Sequence, residues 1–489
     1  MNSPFVTVIF GGTGDLAQHK LIPSLFSLFK QGELGQEFFI IGFARRPFTD
    51  TEYAHMLGDV TELHSDSKWA EFAKNIYYQQ GLFDELAGYE ALIRKLNVFD
   101  KKIGACITRL FYLATPPDNY LAILENLKNS KLSEGCGPAF AKVTASKQES
   151  VGKWVRIAIE KPFGRDLDTA KELDMRLSEI FEEEQIYRVD HYLGKETVQN
   201  MIAFRFANNI FEPVWNNNYI DHVQITFAQD EGIEKRGKFF DGVGIMRDVA
   251  QNHLLQLLAT VAMEQPASFS KEGVRDARAE AIKAIRPIDP NEVSQSIVRG
   301  QYKDYTAEAG VAENSQTETY VAMKLFVDTP RFQDVPFYVR AGKKMPKEVI
   351  EISIVFIQTC HLLFKEYGCP EIGNVLTIRI QPDEGIKLRV IAKQPGGKVA
   401  LGAVDMNFSY HQAFGNHGID AYEKLLMDIF KGDQMLFNRS DELESSWKLI
   451  SHILKGWESE KSGIPVYEPG TWGPELAKKL IEKDGKKWL

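Results

Sequence analysis

The turn Gly11-Gly12-Thr13-Gly14-Asp15-Leu16-Ala17 constrains this chain more than any other stretch, because of what stands on either side of it. Before it, Val6-Thr7-Val8-Ile9-Phe10 has the length and composition of a buried strand. After it, Leu21, Leu25, Leu28 and Phe29 recur at helical spacing within 16–30. Glycine permits a tight strand-to-helix turn and lets a pyrophosphate come close to the backbone at a helix start. The spacing G-x-G-x-x-G/A, read from Gly12 to Ala17, supplies that geometry. A Walker-type loop is excluded, since no Lys-Ser or Lys-Thr follows at the required distance. Glycines alone would fit an ordinary turn; the flanking strand and helix favour a dinucleotide site.

Alternation of strand and helix continues from there. Segments 38–43, 111–114 and 155–159 read as further buried strands, the last two followed by proline and a helical pattern. This predicts an α/β, Rossmann-type, doubly wound parallel-sheet domain over residues 1–190. Residues 191–489 read as a larger α+β domain for substrate binding and dimerisation. There Ile350, Ile352, Ile354 and Phe356 alternate with Glu351, Ser353 and, as a partial exception, Val355. Segments 376–380 and 386–390 do the same with Thr, Arg and Lys outward, the mark of a mostly antiparallel sheet covered on one face. Helical patterns near 245–263, 420–431 and 441–457 are the expected cover, and the polar stretches 130–150 and 302–318 the expected surface loops.

At 489 residues the chain exceeds one compact core. A net charge of −9 argues against nucleic-acid or anionic-membrane partners, and no apolar run has the length of a membrane span. The first residues lead into a strand without a basic, cleavable signal, so a cytoplasmic location is expected. Cys106, Cys136, Cys360 and Cys369 form no CxxC or Cys/His spacing, so they are expected as free thiols, with no metal site.

The end of the second strand bears on cofactor choice. An NAD site would place an acid there, whereas this chain has Arg45 and Arg46, which suit the 2′-phosphate of NADP. Glu160-Lys161-Pro162 ends another strand, on the edge where such sheets bind ligands. His253 lies on an otherwise apolar helix pattern, with Asp248, Gln251 and Asn252 crowding the same turns. A buried histidine is commonly a hydrogen-bonded core residue, but histidine also suits the base that takes a hydroxyl proton as hydride leaves. Asp190-His191-Tyr192-Leu193-Gly194-Lys195 gathers an acid, an imidazole, a phenol and an ammonium. If it is helical, His191 and Lys195 share a face that suits a phosphate dianion.

The run 188–196, with Arg247 to Gln256, resembles the two signatures of the glucose-6-phosphate dehydrogenase family. The resemblance extends from the first strand to about Phe356 and is weaker beyond. It implies oxidation of D-glucose 6-phosphate at C1 to 6-phospho-D-glucono-1,5-lactone with hydride transfer to NADP, the entry step of the oxidative pentose phosphate pathway. It further implies His253 as base with Asp190 as its carboxylate, and at least a homodimer built through the second-domain sheet. Substrate contacts would come from Lys20, Lys161, His191, Tyr192, Lys195, Gln229, Asp248, Asn252, Lys343 and Lys347. Cofactor contacts would come from Gly11, Gly12, Thr13, Gly14, Asp15, Leu16, Arg45, Arg46, Tyr112, Thr115, Glu160 and Lys161. One departure stands out: Gln229 occupies a position where the family usually has glutamate. Rival readings are a related oxidoreductase on another sugar, or an NADP-binding sensor without catalysis.

Overall fold

The computed structural model describes residues 4–135, 155–415, 420–459 and 463–489. The chain divides into two compact units: Met1–Gly164, Asp168–Gly194 and Ile419–Ser440 form the first; Arg165–Leu167, Lys195–Gly418 and Asp441–Leu489 form the second.

The first unit is built on six strands: β1 (Phe5–Phe10), β2 (Phe38–Ala44), β3 (Ile76–Gln80), β4 (Thr108–Leu113), β5 (Val155–Glu160) and β6 (Ile186–Val189). All neighbours pair in parallel, in the order β3-β2-β1-β4-β5-β6. Every residue of β1 and β2 is buried, as expected of strands with both faces covered, and this explains their unbroken apolar runs. The strand order reverses between β1 and β4, so the chain leaving their C-terminal ends opens a crevice there. Gly11 follows one of these strands and Ala114 the other.

The helix Ala421–Lys431 belongs to this unit and not to the cover of the second sheet, which corrects the expectation from its periodicity. Arg156 on β5 donates to the carbonyls of Ile429 and Phe430 at 2.6 and 2.8 Å, and the Phe430 ring packs 4.2 Å from Phe5. Gln434 then donates to the Ile186 carbonyl at 2.8 Å. Periodicity shows that a helix has an apolar face; it does not name the surface that receives it.

The second unit carries nine strands: β7 (Ile220–Ala228), β8 (Ile297–Tyr302), β9 (Tyr320–Phe326), β10 (Pro336–Gly342), β11 (Val349–Phe356), β12 (Val375–Gln381), β13 (Gly385–Lys393), β14 (Leu401–Ser409) and β15 (Val466–Tyr467). Their order is β14-β13-β12-β11-β7-β10-β9-β8-β15. Pairing is antiparallel except for β7 with β10 and β8 with β15. The helical stretch Met246–Leu254 is wound one residue wider than an α-helix, as many functional sites are, and runs on into the wholly buried helix Leu255–Ala262. The polar stretch 302–318 begins at the last residue of β8 and contains no further strand, but it is tied down. Asp241 accepts from the hydroxyls of Tyr305, Ser315 and Thr317 and from the Ala312 amide. Of the other polar stretch, 136–150 lies outside the described residues.

The cysteines also depart from expectation. Cys360 and Cys369 form a disulfide, with Cα atoms 5.9 Å apart, and no free cysteine occurs among the described residues. Their nine-residue separation resembles no motif; the turn ending at Gly368 brings them together.

Close packing at the first turn makes a direct test. A Cβ added to Gly42 would lie 2.3 Å from the ring of Tyr53, whose hydroxyl donates to the Gly12 carbonyl at 2.7 Å. Gly42→Ala should therefore lower stability by about 1–3 kcal/mol, read as a lower urea midpoint at unchanged slope. An unchanged midpoint would show that the tyrosine yields without cost.

Candidate functional site

The glycine turn opens at the end of β1, where Gly11 adopts φ +91°. A Cβ there would sit 2.3 Å from the Ala114 carbonyl oxygen, and one on Gly12 would sit 2.6 Å from the Gly42 Cα. Glycine is thus required twice, once for conformation and once for contact. Gly11 and Gly12 donate to the Phe43 carbonyl at 2.9 and 3.3 Å, which holds the turn against β2. Beside it opens a cavity of about 240 Å³ lined by Gly11, Thr13, Gly14, Ala44, Arg45, Arg46, Phe83, Ala114, Thr115 and Pro116. Arg45 and Arg46 are exposed at its rim. No acid lines it, so the donor set suits a phosphorylated ribose. Phe83, Ala44, Ala114 and Pro116 were missed in the sequence. The proline after β4 was a usable signal; Phe83 offered none. Asp15 is exposed and Leu16 half-buried, at the start of the helical segment.

Buried Tyr112 and Glu160 and half-buried Tyr422 form a cluster in the same unit. The Tyr112 hydroxyl donates to Glu160 Oε1 at 2.6 Å, and Tyr120 donates to the Glu160 carbonyl at 3.0 Å. Burial pushes the Glu160 carboxyl up to about 7, opposed by hydrogen bonds from Tyr112 and Tyr422 and by the charge of Lys161. Tyr112 and Glu160 thus use their polar atoms on each other, while Lys161, half-buried, stands next in sequence. Lys20 is exposed on the wide turn Ala17–Leu21.

Asp190 to Lys195 is not helical. Asp190 follows β6, residues 191–194 form a turn, and Lys195 is extended (φ −71°, ψ 135°) as the cap of the helix Glu196–Phe206. The shared helical face expected for His191 and Lys195 is therefore absent. Asp190 organises the turn instead, its Oδ1 accepting from the Tyr192 amide at 3.0 Å. The His191 ring lies 4.6 Å from Tyr192 and stacks 6.0 Å from Tyr422, a residue missed because its segment is remote in sequence.

In the second unit, His253 is 1% exposed on the wide helical stretch, its ring stacked 6.1 Å from Phe227 on β7. Asn252 Oδ1 accepts from the His253 amide at 2.6 Å, and Asp248 lies half-buried one turn earlier. At the neighbouring ends of β7 and β10, Lys343 is buried, its ammonium 2.9 Å from Gln229 Oε1 and 5.2 Å from the Phe240 ring centre. Gln229, the departure from the family pattern, thus supplies a neutral acceptor to a buried cation. Lys195 Nζ donates to Gln381 Oε1 at 2.7 Å, a partner at the end of β12 that the sequence did not disclose. Lys347 is exposed, 5.8 Å from the ring of Trp472, and lines a cavity of about 710 Å³ with Arg340 and Trp488.

Known proteins resemble the chain over its whole length. Residues 8–200 match the family model for glucose-6-phosphate dehydrogenase, NAD binding domain, and residues 202–489 that for its C-terminal domain. A glucose-6-phosphate 1-dehydrogenase of Chlamydia muridarum is 40% identical over 504 residues, covering 99% of this chain and 96% of the relative. Glucose-6-phosphate 1-dehydrogenase 2 of Mycobacterium tuberculosis is 39% identical over 502 residues, covering 99% and 94%. A solved glucose-6-phosphate dehydrogenase in complex with its substrate superposes with TM-score 0.88 at 33% identity, over 100% of this chain and 99% of that one. The Mycobacterium avium enzyme does so with TM-score 0.82 at 34% identity, over 99% of each. With both family models matched and the relatives aligned end to end, the chain belongs to the glucose-6-phosphate dehydrogenase family.

Proposed function

We propose that this protein oxidises glucose 6-phosphate at C1 to 6-phospho-D-glucono-1,5-lactone with NADP as hydride acceptor. The observation that carries the reading is the end-to-end match to curated glucose-6-phosphate 1-dehydrogenases. The glycine cradle and its two arginines fit the cofactor. Gly11, Gly12, Thr13 and Gly14 would hold the pyrophosphate and Arg45 and Arg46 the 2′-phosphate, with Thr115 alongside. Bound NADP supplies an oxidised nicotinamide, which takes the hydride leaving C1.

His253 takes the C1 hydroxyl proton, and Asp190 is assigned as the carboxylate that orients it and stabilises the imidazolium. His191, Tyr192, Lys195, Lys343 and Lys347 bind the phosphate. Lys20, Lys161, Gln229, Asp248 and Asn252 hold the sugar. Glu160 and Tyr112 support Lys161 and the cofactor side. The protein works as a homodimer or higher oligomer in the cytoplasm. Association through the second-unit sheet is supported by exposed Val404 and Met406 on its edge strand β14 and by exposed Phe414 on the short helix that follows it. No described helix is long and apolar enough to cross a membrane.

Replacing His253 by asparagine should leave glucose 6-phosphate binding nearly intact and reduce turnover about 10²–10⁴-fold. Steady-state rates beside a substrate-binding isotherm decide this; wild-type turnover would remove His253 as the base. Arg45→Ala with Arg46→Ala should erode the NADP preference and spare activity with NAD. An unchanged ratio of kcat/KM for the two cofactors would place the phosphate reader elsewhere.

Glu160 makes a pH prediction. Its carboxyl sits near 7 when folded against an ordinary 4.5, so between those values the folded protein keeps a proton that the unfolded chain releases. Stability from this group therefore falls as pH rises through that window and is flat above it. Urea titrations of wild type and Glu160→Gln, at about pH 5 and about pH 8, should show the variant gaining relative stability at the higher pH. An equal difference at both would mean that the carboxyl titrates normally.

A further inference from the structure

Thr317-Glu318-Thr319 belongs to none of the signatures above, yet within the second unit it touches the supports of two proposed site residues. Glu318 is 5% exposed, and its Oε1 accepts from the amide of Met246, the first residue of the helical stretch that carries His253, at 3.0 Å. Its own carbonyl accepts from the Ile245 amide at 2.9 Å. A helix start leaves amides unsatisfied, and they are usually capped by a residue just before them. Here the acceptor comes from the segment entering β9, so the cap also ties the helix to the sheet. Gly244 makes room for it: φ is +73° there, and a Cβ would lie 2.1 Å from Glu318 Oε1. Thr317 Oγ1 accepts from the Gly242 amide at 2.8 Å and donates to Asp241 at 2.9 Å, fixing the turn before the helix.

Thr319 works on the other side. Its carbonyl accepts from the Lys343 amide at 3.0 Å, extending the β9–β10 ladder by one step. The Tyr467 hydroxyl donates to the Lys343 carbonyl at 2.7 Å and lies 3.1 Å from Thr319 Oγ1, which accepts from the Tyr302 amide at 2.9 Å. The backbone of Lys343 is thus held on both its amide and its carbonyl.

We propose that Thr317-Glu318-Thr319 is a positioning element: Glu318 sets the start of the helix bearing His253, while Thr319 with Tyr467 sets the backbone of Lys343. It rests on the reading of His253 as base and Lys343 as substrate ligand. None of the three need touch substrate. What Glu318 supplies is reach, an oxygen at the Met246 amide, rather than charge.

Reach and charge separate experimentally in the full-length protein. Glu318→Gln keeps an oxygen at the same distance and should hold kcat within a few-fold of wild type. Glu318→Asp keeps the charge but is one methylene short, and kcat should fall about tenfold to a hundredfold, with KM for glucose 6-phosphate little changed. Tyr467→Phe should do the opposite, raising KM severalfold at nearly constant kcat. The proposal is overturned if Gln is as damaged as Asp, if Asp turns over normally, or if Tyr467→Phe leaves KM unchanged. His253→Asn run alongside separates the two readings. Wild-type turnover in that variant defeats the base assignment, whereas an inactive His253→Asn beside a fully active Glu318→Asp defeats the positioning element alone.

Discussion

Backbone meets backbone at the end of β1, and the first unit is arranged around that approach. Gly12 lies so close to Gly42 that a Cβ would stand 2.6 Å from its Cα, and Gly11 takes a conformation that side chains disfavour. These contacts put the turn directly above the crevice where the strand order reverses, with Ala114 and Thr115 across from it. Parallel strands buried on both faces hold the turn in place. The result is a cavity of about 240 Å³ with guanidinium groups at its rim, made by packing before any ligand arrives.

The second unit solves a different problem, holding a buried histidine on a helical stretch and a buried lysine at the end of β10 in a largely antiparallel sheet. Parallel pairing of β7 with β10 puts Gln229 and Lys343 at adjacent strand ends, where one neutralises part of the other's desolvation without a second charge. A carboxylate there would form a stronger, charge-assisted pair with Lys343 than the glutamine does. His253 sits on the widened helical stretch, where residues fall out of α-helical register and side chains are re-aimed.

How much of this the sequence disclosed depended on the range of the interaction. Val6 to Phe10, the glycine turn and the buried runs after it were legible because strand, turn and helix are local. Alternation at Ile350 to Phe356 disclosed a one-sided sheet, but not that β7 and β10 pair in parallel, since strand direction leaves no trace in periodicity. Family resemblance brought in Lys343 and Gln229, while their mutual contact across 114 positions emerged only from the fold. His191 and Lys195 misled because i, i+4 spacing suggests a shared face only where the backbone is helical, and Lys195 is a cap. The helix Ala421–Lys431, with Tyr422 at its start, was assigned to the wrong sheet for want of any local signal of its partner on β5, Arg156, which donates to its last carbonyls. Cys360 and Cys369 were separated too far for a motif and close enough for a turn to join.

The central claim is that the chain moves a hydride from a phosphorylated sugar to NADP. The most direct measurement is absorbance at the reduced-nicotinamide band, with glucose 6-phosphate or glucose as donor and NADP or NAD as acceptor. The account predicts rapid reduction of NADP with glucose 6-phosphate, slower reduction of NAD, and almost none with glucose. No reduction with glucose 6-phosphate, or equal rates with glucose, would contradict it.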